Sequence, residues 1–445
     1  MRSLSFKSVL AAALLACAMA STPLVHTASA MPNFARKYGL GCGSCHDVVP
    51  KLNEFGWKFR AAGYRMPDEI GKAKPTMNLG DYFAGRINFS INQASATAAT
   101  PGSQSINNFN IAFTGGSIYA LFGALTPNIS SESELGFSTS GTLSVSTASV
   151  GYYSGDENNW FVGRIGIINT LQGYGGSDRG WSGSPLMNSA YPISLYSYEQ
   201  GDKTKPAYTG LTGSNMGIDL GYVFGQATVH AEALSGYTYA SGKPSAALAG
   251  KPMGTGAGQA PSANSFDYMF WANYILTDDG GGISAAYYIG QADINTNTTA
   301  NTSNVDSLFW QNKFTRYAIY ASYPIPVVKA LLLAGYEGGK DNSWALKTFV
   351  YGPDISSHGY FGELDYPITD LVGVGARYDA VTPDNSHTNN NITVITAYCD
   401  YNFGDGFAVT GSYSVKNTDT PASNGVDLLG TAKNNAFSLK VSWFQ

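Results

Sequence analysis

Phe83-Ala84-Gly85-Arg86-Ile87-Asn88-Phe89-Ser90-Ile91 carries an apolar or small residue at every second position, with Arg86, Asn88 and Ser90 among those between. Successive side chains leave a strand on opposite sides, so a period of two predicts a strand with one apolar and one polar face. The alternation recurs in Leu143-Val145-Thr147, Phe161-Gly163-Ile165-Ile167, Ile218-Leu220-Tyr222-Phe224, Ile283-Ala285-Tyr287-Ile289 and Val372-Val374-Ala376-Tyr378. Phe437-Leu439-Val441-Trp443 reads as a last strand with an aromatic ending, although Phe444 and Gln445 come after it.

The connections alternate between two kinds. Tight turns are expected near Leu125 to Asn128, Tyr153 to Asn158, Gly225-Gln226, Thr277 to Gly281, Pro324 to Val328, Pro367 to Asp370 and Gly404 to Gly406. Longer polar loops are expected near 92–108, 169–214, 239–264, 292–305, 339–356, 381–390 and 417–434, with one short link near 139–142. Seven turns and eight outer links join about 16 strands, the plan of a bacterial outer-membrane barrel with both termini periplasmic. A soluble β-sandwich or solenoid is the competing architecture, and no repeat of fixed period supports it.

Composition agrees. Of 445 residues only 13% are charged and 13% are aromatic, with 52 Gly and 29 Tyr, unlike a soluble enzyme. Beyond residue 30 no run of about 20 apolar residues exists, which excludes transmembrane helices. A net charge of −5 argues against a nucleic-acid partner and mildly favours cations.

Residues 1–30 read as a secretory signal peptide: Arg2 and Lys7, an apolar stretch from Val9 to Ala20, then Ala28-Ser29-Ala30 as the cleavage site. Cys17 offers a second reading, a lipoprotein cleavage site. Residues 31–76 differ in kind from the long alternating region. Val48, Leu52, Phe55, Phe59 and Ala62 are spaced as in a helix, with Pro50 in its first turn and Gly63 as its stop. The chain thus divides into a small N-terminal domain with its linker (31–76) and a barrel (77–445).

Cys42-Gly43-Ser44-Cys45-His46 is a c-type haem attachment motif. Two thiols three residues apart bond the porphyrin edge, and the adjoining His46 becomes the proximal iron ligand. Zinc would need two further ligands nearby, and a redox disulfide would need a βαβ setting; neither is present. Cys399 is left without a partner, so no disulfide framework is expected.

Met66 is the nearest downstream thioether for the opposite face of the iron, with Met77, Met31 or an open site as alternatives. A straight helix over residues 47–62 would carry the chain roughly 24 Å from His46. Met66 can therefore return only if the chain turns at Val49-Pro50, where the residue before proline avoids helical geometry. His230 shares a strand face with Thr228 and Glu232, predicting a hydrated histidine in the lumen; His358 and His387 fall in or near outer loops.

Met31-Pro32-Asn33-Phe34-Ala35-Arg36-Lys37-Tyr38-Gly39, the haem motif, Pro50-Lys51-Leu52-Asn53-Glu54-Phe55-Gly56 and Phe59-Arg60-Ala61-Ala62-Gly63-Tyr64-Arg65-Met66 resemble the outer-membrane cytochrome-porin fusion family. The likeness covers residues 31–67; beyond them it is one of architecture. It implies a single-haem domain in or under a porin of about 16 strands, carrying electrons from extracellular Fe(II) across the outer membrane to periplasmic cytochromes. By the same resemblance Cys42 and Cys45 hold the haem and His46 its iron, with Met66 opposite. Electron flow outward to an external acceptor, and a passive porin plugged by its haem segment, are the alternative functions. A haem enzyme such as a peroxidase is disfavoured, because no distal His or Arg constellation is evident.

Overall fold

The computed structural model describes residues 32–48, 51–72, 79–97, 106–169, 211, 214–234, 266–277, 281–295, 309–342, 354–369, 371–383, 385, 391–403, 407–419 and 431–444. The predicted signal peptide, Cys17, Met31, Met77 and His387 lie outside them.

Two short helices and a small hairpin come first: α1 (Pro32–Tyr38), β1 (His46–Val48), β2 (Lys51–Leu52) and α2 (Glu54–Ala61). The wall begins with β3 (Ala84–Thr97), β4 (Ile106–Tyr119), β5 (Gly123–Ala124), β6 (Ile129–Phe137), β7 (Leu143–Gly155), β8 (Asn159–Asn169), β9 (Ser214–Phe224) and β10 (Ala227–Leu234). It continues with β11 (Asp267–Ile275), β12 (Gly282–Asn295), β13 (Phe309–Ile325), β14 (Ala330–Asn342), β15 (Ile355–Pro367) and β16 (Val372–Thr382). The last three strands are β17 (Ile392–Asn402), β18 (Phe407–Asp419) and β19 (Thr431–Phe444).

Every neighbouring pair is antiparallel, and β19 pairs with β3 through Val441↔Phe89 and Trp443↔Ile87, which closes the ring. The two-residue β5 only prolongs β4 beside β6, so the barrel has the sixteen full strands expected from the sequence. Paired strands flank the expected tight connections: for example Leu125 N–H donates to Ile129 O at 2.8 Å, and Phe403 N–H to Phe407 O at 2.9 Å, while residues 278–280, 370 and 404–406 lie outside the described residues. Ala84, where β3 starts, pairs with Tyr119 beside the first of these turns, and Phe444 pairs with Arg86, so both barrel ends lie at the tight-turn rim.

The faces are inverted relative to a soluble protein. Ile165, Leu220 and Ile319 point outward and are 60%, 52% and 59% exposed, whereas lumen-facing Asp219 and Arg316 are wholly buried. A closed ring with apolar residues outside and charged ones inside satisfies its backbone hydrogen bonds without water and presents hydrocarbon to lipid.

One helical expectation is corrected. The apolar series from Val48 to Ala62 does not form one helix: His46 pairs with Leu52 and Val48 with Lys51 in a hairpin, and α2 begins only at Glu54. Proline lacks an N–H and displaces its predecessor from helical geometry, and the chain reverses between Val48 and Lys51. Asn53 then starts the helix afresh, its Oδ1 accepting from Gly56 N–H at 2.9 Å. Gly63 stops it as expected. At φ +70° it allows Tyr64 N–H to reach Phe59 O at 2.9 Å and its own N–H to reach Arg60 O at 3.0 Å.

Candidate functional site

The haem motif is built as one tight turn held by the neighbouring helix α2. Cys42–Ser44 form a 3-10 turn, with Ser44 N–H donating to Gly41 O at 3.1 Å. Asn53 clamps this turn: its amide donates to Ser44 O at 3.2 Å and reaches toward Gly43 O at 3.4 Å, while its backbone N–H donates to Cys45 O at 3.0 Å. A Cβ on Gly56 would overlap that same Cys45 carbonyl oxygen, so only glycine lets α2 lie this close. The Cys45 thiol is free and half-buried, and burial pushes it up. The side chain of Cys42 lies outside the described residues.

His46 provides the test of whether these residues suit a haem. Its Nδ1 sits 3.2 Å from Lys51 O, and a carbonyl can only accept, so Nδ1 carries the proton and the lone pair falls on Nε2. A metal-binding histidine is commonly oriented in this way by a carbonyl on its other nitrogen. Cys45 and His46 as placed are compatible with a covalently attached haem, which Cys42 and Cys45 would hold and whose iron His46 Nε2 would bind. Met66 packs against an aromatic cluster of Phe34, Tyr38, Phe55, Phe59, Tyr64 and Phe122, at the far end of α2 from the haem turn.

The segment is docked across the lumen at two sides. On one, Trp160 Nε1–H on β8 donates to Ala61 O at 3.2 Å; Arg65 donates to Thr126 O at 3.1 Å, to Pro127 O and to Ser130 Oγ on β6. Ser130 Oγ–H in turn donates to Gly63 O at 2.8 Å. On the other, the buried Lys51 ammonium reaches Glu363 Oε1 at 2.6 Å and Asp365, both on β15. Burial pulls Lys51 down to about 8 while Glu363 opposes it, so the ammonium keeps its charge at neutral pH. In a ring of sixteen strands β8 and β15 stand seven apart, almost opposite, so residues 51–65 cross the channel.

Between α2 and β7–β11 remains a cavity of about 40 Å³, bordered by Trp57, Arg60, Tyr153, Arg164, His230 and Trp271. It has room for roughly three waters. His230 does face the lumen, as expected, and is largely buried there at the edge of this cavity. Its Nδ1 lies 2.8 Å from Asp219 Oδ1, and its ring stacks on Trp271 at 3.8 Å and 5°. Arg164 holds the same Asp219 at 2.7 Å. Neighbouring strands β9, β10 and β11 bring these residues together through register, which alternation in any one strand does not reveal.

His358 lies on β15 near its outer end, with Nδ1 2.7 Å from Asn385 Oδ1. Cys399, expected to be without a partner, is disulfide-bonded to a cysteine whose side chain lies outside the described residues. Its neighbours Tyr398 and Asp400 are buried lumen-facing residues, so Cys399 belongs to the outward face of β17. Spacing along the chain carries no information on such pairing.

Sequence reasoning missed Asn53, Gly56 and Lys51. The signal for Asn53 was present, a helix-capping residue just before an acidic first turn. Glu363 and Asp365 sit two apart on the lumen face of β15, between outward Leu364 and Tyr366, and an inward acidic pair calls for a cation. Nothing local identifies Lys51 as that cation.

Fold and lumen together define a sixteen-stranded transmembrane β-barrel of the porin type, located in the outer membrane, with its own N-terminal segment lodged in the channel. No family model and no curated protein matches the chain. Among solved structures it is similar to OmpT of Vibrio cholerae expressed in the outer membrane, at 12% identity and a TM-score of 0.46, covering 82% of this chain and 97% of that one. It is likewise similar to the anion-selective porin of Comamonas acidovorans (12%, TM-score 0.49, 82% and 98%). The channel DcaP of Acinetobacter baumannii gives 11%, a TM-score of 0.46, and 82% and 96% coverage.

Proposed function

We propose that this chain is an outer-membrane monohaem cytochrome-porin that passes electrons through the barrel, from extracellular Fe(II) to periplasmic carriers. The observation that carries the reading is the His46 Nδ1 to Lys51 O contact of 3.2 Å within the Cys42-Gly43-Ser44-Cys45-His46 turn. Cys42 and Cys45 would hold the haem through thioether bonds and His46 would bind its iron; Met66, packed in the aromatic cluster at the far end of α2, would have to leave that cluster to serve as a second iron ligand. When bound, the haem supplies one-electron exchange between ferric and ferrous iron.

The chain's own residues supply the rest. Asn53 and Gly56 hold the motif turn against α2, and Lys51, Arg65 and Trp160 fix the segment to both walls of the lumen. A segment that crosses the channel keeps water and solutes from streaming past the site, and the tight-turn rim at which both barrel ends lie is the periplasmic side.

The test uses the purified full-length protein. Covalent haem is quantified after denaturation, Fe(II) is added to the oxidised protein, and conductance is measured in planar lipid bilayers. The reading expects one haem per chain, reduction by Fe(II), and conductance far below that of an open porin. A chain without covalent haem and with large conductance is a passive porin. A haem that stays oxidised in excess Fe(II), yet once reduced with dithionite passes its electron to an external acceptor, carries electrons outward.

A further inference from the structure

Lys51 works at both of its ends. Its carbonyl oxygen accepts from His46 Nδ1–H at 3.2 Å, and its ammonium is bonded to Glu363 at 2.6 Å and to Asp365. The three side chains are 5%, 2% and 0% exposed. On the wall, Glu363 also receives Arg377 at 3.3 Å, and Arg377 is bonded to Asp379 at 2.7 Å. Tyr398 O–H donates to Glu363 at 2.6 Å and to Asp365. This single residue links the nitrogen that orients the candidate haem ligand to a buried charge network on β15–β17.

From this geometry we infer that Lys51 is a positioning residue through which the barrel wall tunes the electron affinity of the site at His46. The inference rests on the proposed haem function and adds its regulation. Two features carry it. The carbonyl to which His46 donates belongs to the residue whose side chain is anchored 312 positions away, so the wall fixes the histidine's orientation and basicity. The network also holds three carboxylates, Glu363, Asp365 and Asp379, against two cations, Lys51 and Arg377. Removing Lys51 changes its formal charge from −1 to −2, and an added negative charge in a dry site favours the oxidised, more positive iron. The half-reaction takes up one electron from the donor and no proton from Lys51.

The experiment is a spectroelectrochemical titration of the full-length haem-loaded protein, in wild-type form and as Lys51→Arg, Lys51→Met, Lys51→Met with Asp365→Asn, and Asp365→Asn alone. Lys51→Met is expected to lower the reduction potential, and the double variant to recover at least half of that shift. Lys51→Arg should stay near wild type, and Asp365→Asn should raise the potential even if Lys51→Met fails to fold. A plain packing role would not track charge in this order. An unchanged potential in both Lys51→Met and Asp365→Asn, with intact covalent haem, overturns the inference while sparing the haem function. Absence of covalent haem from the wild-type chain overturns both.

Discussion

The indole Nε1 of Trp160, on strand β8, donates to the carbonyl oxygen of Ala61 at 3.2 Å, binding the last turn of the lumen helix to the barrel wall 99 residues further on. Trp160 is 1% exposed and is held almost entirely by protein contacts. Trp160→Phe keeps most of the packing and removes the donor. It should weaken docking of residues 51–72 by about 1 kcal/mol, seen as faster proteolysis at the tight-turn rim with the barrel still resistant.

Arg65 should matter more. Arg65→Met strips the donors from Thr126 O, Pro127 O and Ser130 Oγ, leaving polar atoms in a mostly buried place at a cost of about 1–3 kcal/mol each where water cannot enter. Bilayer recordings should show open events of porin size that wild type lacks. A variant as silent as wild type would mean that the Lys51 anchor alone closes the channel.

If the chain carries haem as proposed, Gly56→Val is expected to abolish its loading while sparing the barrel, because the side chain would occupy the space of the Cys45 carbonyl. Asn53→Ala should be milder, losing a helix cap worth about 1 kcal/mol together with the clamp on Ser44. Haem content per folded barrel, judged by migration on gels without boiling, separates the two.

Tyr38 gives a pH dependence. Its O–H donates to Glu69 at 2.9 Å, and burial with the Glu69 carboxylate beside it raises the phenol well above its usual value. A raised folded-state value means that the contribution is complete below the ordinary phenol range near pH 10 and fades as pH climbs beyond it. The wild-type segment should therefore loosen in alkali. Tyr38→Phe should start weaker by about 1 kcal/mol and lose less, which protease sensitivity measured from pH 8 to 11 would read.

Asp219→Asn should be the most damaging change in the lumen wall. It would leave the buried Arg164 without its carboxylate and His230 without a charged acceptor, a loss of about 3–5 kcal/mol for breaking a buried pair. Thermal unfolding in detergent should fall markedly.

Alternation from Phe83 onward, with the order of connections, pointed to a barrel of about sixteen strands, and the pairing of β19 with β3 that closes it is seen only in the structure. The period of two and the contrast between tight and long connections are local properties that survive without a partner strand in view. The Cys42–His46 motif is likewise a local pattern, and the structure adds that its first residues form a tight turn against α2. The tertiary structure decided everything that depended on distant partners. It ended the supposed single helix in a hairpin, because pairing of His46 with Leu52 outweighed an apolar spacing that suits either element. It buried His230 against Asp219 and Trp271, and it chose Lys51 to answer Glu363 and Asp365. Packing across the lumen joins residues hundreds of positions apart, and no periodicity along one segment encodes which of them will meet.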